Sequence, residues 1–115
     1  MHKSTITIEV HRDGENIPEH ISWNATDSTA ESMQKAKAMC VSFWDAEDRS
    51  ALSLDLWTKE MMVDEMADFF YQMLINMSQT FERATRQSEL SNDMKTFANN
   101  FIKKFHALQT KDQNP

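Results

Sequence analysis

Two periodicities divide the chain. From Ser4 to Val10 the apolar Ile6, Ile8 and Val10 alternate with Thr5, Thr7 and Glu9, the period of two that marks an antiparallel strand with one wet face. Alternation returns at Ile21, Trp23 and Ala25, giving a second strand over about residues 20–26 that pairs with the first. Lys37 to Trp44 reads as a third strand, apolar on both faces and so covered on both sides or central. The charged cluster Asp45-Ala46-Glu47-Asp48-Arg49 breaks it. Leu52, Leu54 and Leu56 then alternate with Ser53, Asp55 and Trp57, a fourth strand over Ala51 to Trp57 that closes a hairpin with the third.

Just past Trp57 the period lengthens. Val63, Met66, Phe70, Met73, Leu74, Met77 and Phe81 fall at helical spacing, predicting a helix from about Met62 to Arg86. Asp64, Glu65 and Asp68 near its start and Arg83 and Arg86 near its end complement the helix dipole. A second helix follows, capped by Ser88 or Ser91, with the stripe Leu90, Met94, Phe97, Ala98, Phe101, Phe105 and Leu108. So short a connection makes the pair an antiparallel hairpin. Between strands two and three, Ser28 and Glu31 have the spacing of a capping box, which predicts a short helix over about residues 29–36. Asp13-Gly14, with the only glycine of the chain, predicts a turn using a positive φ, and Pro18 belongs to an edge or loop.

The expected fold is therefore α+β: one domain over residues 1–109 and a polar tail over residues 110–115. A four-stranded, mainly antiparallel sheet is packed on one face by the helical hairpin, with Phe70 and Phe101 in the core. At 115 residues there is room for one domain. Lone Cys40 excludes an internal disulfide and fits a reducing compartment. No apolar signal core follows Met1-His2-Lys3, and no apolar run approaches the ~18 residues of a membrane span. The expectation is a cytoplasmic protein without membrane insertion.

Charge and chemistry narrow the function by exclusion. The net charge of −6 opposes nucleic-acid binding, which needs a basic stripe. Residues 1–57 hold ten acidic and five basic side chains, residues 58–115 eight and seven, so the acidity belongs to the strand half. His2, His11, His20 and His106 have no second ligand at metal-binding spacing, and a single glycine cannot build a phosphate-cradling loop. Cys40, mid-strand, reads as an inert core thiol, and Asp45, Glu47 and Asp48 as a polar hairpin tip. No catalytic residue, cofactor or metal is expected. An enzyme would need Asp55, His20 and Cys40 to converge.

Two residue types are in excess, three tryptophans and nine methionines. If Leu52, Leu54 and Leu56 face the helices, Ser53, Asp55 and Trp57 face the other way. Joined by Trp23 or Trp44 from neighbouring strands, they form a candidate partner-binding face, because aromatics are the usual interface anchors. Met61 and Met62, just before the first helix, add a soft contact patch. A different reading is an apolar small-molecule pocket between the sheet and the Met- and Phe-rich helix.

The stretch from Phe43 to Leu74, FWDAEDRSALSLDLWTKEMMVDEMADFFYQML, together with Thr80 to Thr85 (TFERAT), resembles the gliding motility protein GldC family of the Bacteroidota. Ile17-Pro18-Glu19 and Ile21 to Asp27 (ISWNATD) resemble it too, and the likeness covers roughly residues 5–105. Its most specific parts are LDLWTK (Leu54 to Lys59), VDEM (Val63 to Met66) and TFERAT; Ser28 to Lys37 matches least. The resemblance implies a small accessory factor of surface gliding, a process tied to the envelope-spanning motor and secretion system. Its partners would be proteins of that machinery, or a second copy of the chain. The resemblance carries over no catalytic residue.

Overall fold

The computed structural model describes residues 2–113, which cluster into a unit of strands and a unit of helices divided between Met61 and Met62. In the first unit, β1 (Ile6–Arg12), β2 (Pro18–Ala25) and β3 (Gln34–Ala36) form an antiparallel sheet in the order β1-β2-β3. A separate antiparallel ribbon pairs β4 (Ala38–Asp45) with β5 (Ser50–Trp57). The expected single four-stranded sheet is thus two sheets, of three and two strands. Lys37 is where they part. Its carbonyl accepts from both the backbone N–H (2.8 Å) and the hydroxyl (2.9 Å) of Thr58 at the end of β5. The chain therefore leaves one ladder at Ala36 and enters another at Ala38.

The short helix expected over residues 29–36 is absent. Ser28 Oγ accepts from the backbone N–H of Ala30 (3.0 Å) and donates to the carbonyl of Ala25 (2.7 Å), closing a tight turn with Asp27 at φ 60°. A helix of so few residues is marginal alone, whereas the free edge of β2 offers Gln34–Ala36 a ladder. Ala36 pairs with Ile21, which is 1% exposed and the most buried large side chain of the sheet. The β1–β2 turn also departs from expectation. Gly14 has no positive φ; Asn16 does, at 66°. The organiser is Asp13, whose Oδ1 accepts from the backbone N–H groups of Glu15 (2.8 Å) and Ile17 (3.0 Å). An aspartate bonding its own following backbone builds the turn without glycine's freedom.

In the second unit, α1 (Val63–Thr85) and α2 (Ser88–Gln113) form the expected helical hairpin. Glu65 reaches back to the N–H of Met62 (3.2 Å) at the start of α1, and Arg86 ends it in the left-handed region, its N–H bonded to the carbonyl of Glu82 (2.7 Å). Ser88 opens α2, whereas Ser91 is no cap: fully buried, it donates to the carbonyl of Ser78 at 2.8 Å. The helix runs through Thr110 to Gln113; Asn114 and Pro115 lie outside the described residues.

The helices meet along small side chains. Ala67, Ser78, Ser91 and Ala98 are buried, because backbones that approach closely leave no room for more. The bulky members of the stripes are displaced to the side. Phe70 remains 43% exposed, Met77 55% and Phe97 60%. Phe70 is therefore not the core residue that its spacing suggested, and Phe101 is half-buried.

Candidate partner-binding face

The β4–β5 register settles which side chains share a face. Ala38 pairs with Trp57, Cys40 with Asp55, Ser42 with Ser53 and Trp44 with Ala51. Cross-strand partners point the same way and alternate positions share a face. Trp44, Ser53, Asp55 and Trp57 thus lie on one face of the ribbon, as the alternation of the last strand implied. Trp23 does not join them. It sits in β2 of the other sheet, half-buried, paired with Ile8 and Gln34.

The face has an aromatic at each end and a polar middle. Trp44 is 63% exposed and Trp57 61%, separated along the ribbon by about 20 Å at the usual rise per residue. The Arg49 guanidinium lies 5.9 Å from the Trp44 ring, and Ser42 and Ser53 share a 2.7 Å hydrogen bond between hydroxyls. The other face carries Met39–Leu56, Val41–Leu54 and Phe43–Leu52 pairs. On that face Phe43, Leu52 and Leu54 are also more than half exposed.

Asp55, His20 and Cys40, the set an enzyme would need, are divided between the two sheets. Cys40 is exposed, not in a core. Partial burial first, and then the hydrogen bond and charge of Asp55 across the ladder, push its thiol above the usual range. A thiol held protonated is a poor nucleophile. His20, the third member of an enzymatic set, belongs to the other sheet, its ring stacked 4.2 Å from that of His11. Among the described residues no three His, Cys, Asp or Glu side chains converge on a metal-sized space, and no helix is long and apolar enough to cross a membrane.

Sequence reasoning missed what the Thr58-Lys59 end of the LDLWTK stretch does. Thr58 is 2% exposed and staples β5 to the β3–β4 junction through Lys37. Lys59 forms an ion pair with Asp13. With that hydrogen bond foremost, and the two backbone N–H bonds behind it, the Asp13 carboxyl falls to about 2. The same contact raises Lys59 above its ordinary value. A polar pair directly after an alternating strand was the available signal, but nothing local says that its partners lie at the β1–β2 turn.

Nothing among curated proteins or solved structures matches the chain. A family model described as gliding motility-associated protein GldC-like matches residues 18–107. That span takes in β2 through most of α2, including the whole ribbon and its two exposed tryptophans. The chain belongs to the GldC-like family of gliding motility-associated proteins.

Proposed function

We propose that this protein is a non-enzymatic accessory factor of the gliding apparatus, acting in the cytoplasm as an adaptor through the Trp44/Trp57 face of the ribbon. The observation that carries the reading is the exposure of both indoles on one face of a regular ladder. A two-stranded ribbon is marginal in water by itself. Large aromatics spread over such a ribbon add little to its own folding and are the side chains that anchor interfaces. Ser53 and Asp55 between them supply polar groups that fix register and select against wrong partners. Family membership supplies the setting, and the partner class is a protein of the gliding and envelope machinery.

The test separates folding from binding. Trp57→Ala removes a side chain that is already 61% exposed. With about 250 Å² for a whole indole and about 25 cal/mol per Å², the buried remainder is worth about 1.5 kcal/mol after allowance for a compact unfolded chain. Loss of a binding anchor costs about 2 kcal/mol or more. A photo-crosslinking side chain at Ser53 in gliding cells should therefore capture one apparatus protein, and Trp44→Ala with Trp57→Ala should abolish both that product and colony spreading while the purified chain stays folded. Normal spreading by the folded double variant would refute the adaptor reading.

A further inference from the structure

One apolar flank of the helical hairpin is covered by neither of its helices. Advancing 100° per residue, Val63, Phe70 and Met77 lie to one side of the Ala67–Ser78 contact line of α1. Leu90, Phe97 and Leu108 lie to one side of the Ser91–Ala98 line of α2. Because the helices are antiparallel, these are the same side of the hairpin. The opposite side is closed by polar pairs, Tyr71 Oη to Asn99 Oδ1 at 3.2 Å and Lys95 to Glu82 at 4.0 Å. On the apolar side the six bulky residues are 43–74% exposed.

We infer that this flank pairs with the same flank of a second copy of the chain, forming a four-helix bundle about a two-fold axis. The spacing is the first argument. On α2 the seam runs Leu90, Met94, Phe97, Phe101, Lys104, Leu108, steps of four, three, four, three and four. That series is a heptad seam, and it reads the same in both directions. An antiparallel copy centred near Asn99 sets Leu90 against the partner's Leu108, and Phe97 against the partner's Phe101. On α1 the same operation, centred between Tyr71 and Gln72, sets Met66 against the partner's Met77, and Phe70 against the partner's Met73.

One axis must serve both helices, and it does. The Tyr71–Asn99 hydrogen bond places the two centres at the same height along the hairpin. Crossing the axis, each helix meets its own copy in the near-antiparallel packing usual for bundles.

Charge is the second argument. A chain of net charge −6 repels its copy, yet the seam carries a single charged residue, Lys104, within the apolar repeat. Lys104 falls opposite the partner's Met94, where its stem covers apolar surface and its ammonium reaches the partner's Asp93. Both Asp93 and Lys104 are exposed, and neither forms an ion pair among the described residues. The two-fold supplies the contact twice.

Area is the third argument. Taking about 150–200 Å² for a fully exposed large apolar side chain, the six residues present about 600 Å². The half-covered residues beside them bring this toward the ~800 Å² per partner of a stable interface.

Sedimentation equilibrium on the full chain tests the inference. The wild type should sediment at twice 13.4 kDa at micromolar concentration. Asp93→Lys and Lys104→Glu should each weaken self-association about tenfold or more, with helicity unchanged because both positions are exposed. An equimolar mixture of the two single variants should regain wild-type affinity, since each chain then offers the charge the other lacks, and Phe97→Asp should give a folded monomer. A wild type that is monomeric throughout would overturn the inference. So would a dimer that neither reversal weakens, because that dimer would use another face.

Discussion

Ala98 is fully buried on the same line of α2 as Ser91, two turns further along the helix. Replacing it with leucine adds three carbons at a position with no exposed surface. Interaxial distances run from about 8 Å with small residues to about 10 Å with large ones, so accommodation requires a separation of about 2 Å. Overpacking of this kind costs about 1–3 kcal/mol. The separation also stretches the 2.8 Å bond from Ser91 Oγ to the Ser78 carbonyl past hydrogen-bonding range. A buried hydroxyl and carbonyl left unpaired add about 1–3 kcal/mol. Ala98→Leu should therefore lower stability by about 2–6 kcal/mol in urea, followed by far-ultraviolet circular dichroism at fixed protein concentration. The companion Ser91→Ala keeps the helices together and should cost only about 1 kcal/mol. An Ala98→Leu loss under about 1 kcal/mol would mean that the helices do not meet along this line, since such a change is near neutral only where space exists.

Asp13 links stability to acid: its carboxyl sits at about 2 against an ordinary 3.8, so the stabilisation is complete above pH 4 and is lost as pH falls toward 2. Asp13→Asn should flatten the acid limb of the stability profile in that window, and an unchanged limb would show that the Lys59 contact does not matter. Cys40 should react with a thiol reagent more slowly at pH 8 than a free cysteine, and Asp55→Asn should speed it by removing a charge that raises the thiol's pKa; equal rates in both chains would remove Asp55 from the account. Ser28→Ala should cost about 1 kcal/mol by opening the turn at Ala30, while helical circular dichroism stays constant; a drop in helicity would restore the absent helix.

Local pattern determined the elements. Alternation placed the long strands to within two residues or so at their ends, and the helical stripe placed α1 to within one. A period of two or 3.6 is written by every residue in a segment, so it survives any single exception. Alternation also assigned Ser53, Asp55 and Trp57 to one face, since which residues share a face of a strand follows from the pleat. The family was legible in Phe43 to Leu74 for a different reason, since that stretch combines residues no fold rule requires.

Tertiary structure decided the rest. The capping-box spacing at Ser28 and Glu31 is a local preference worth about 1 kcal/mol, and the open edge of β2 overruled it. The split at Lys37 depends on Thr58, twenty-one residues away, whose hydroxyl and N–H meet one carbonyl. Trp23 could join Trp44 and Trp57 only in a shared sheet, and the pairing of β2 with β1 and β3 denied it one. The helical stripes named the apolar side chains but not which of them the hairpin would bury. The closest approach went to Ala67, Ser78, Ser91 and Ala98 because contact distance is set by the smallest side chains, and those have the least hydrophobic signal in the sequence.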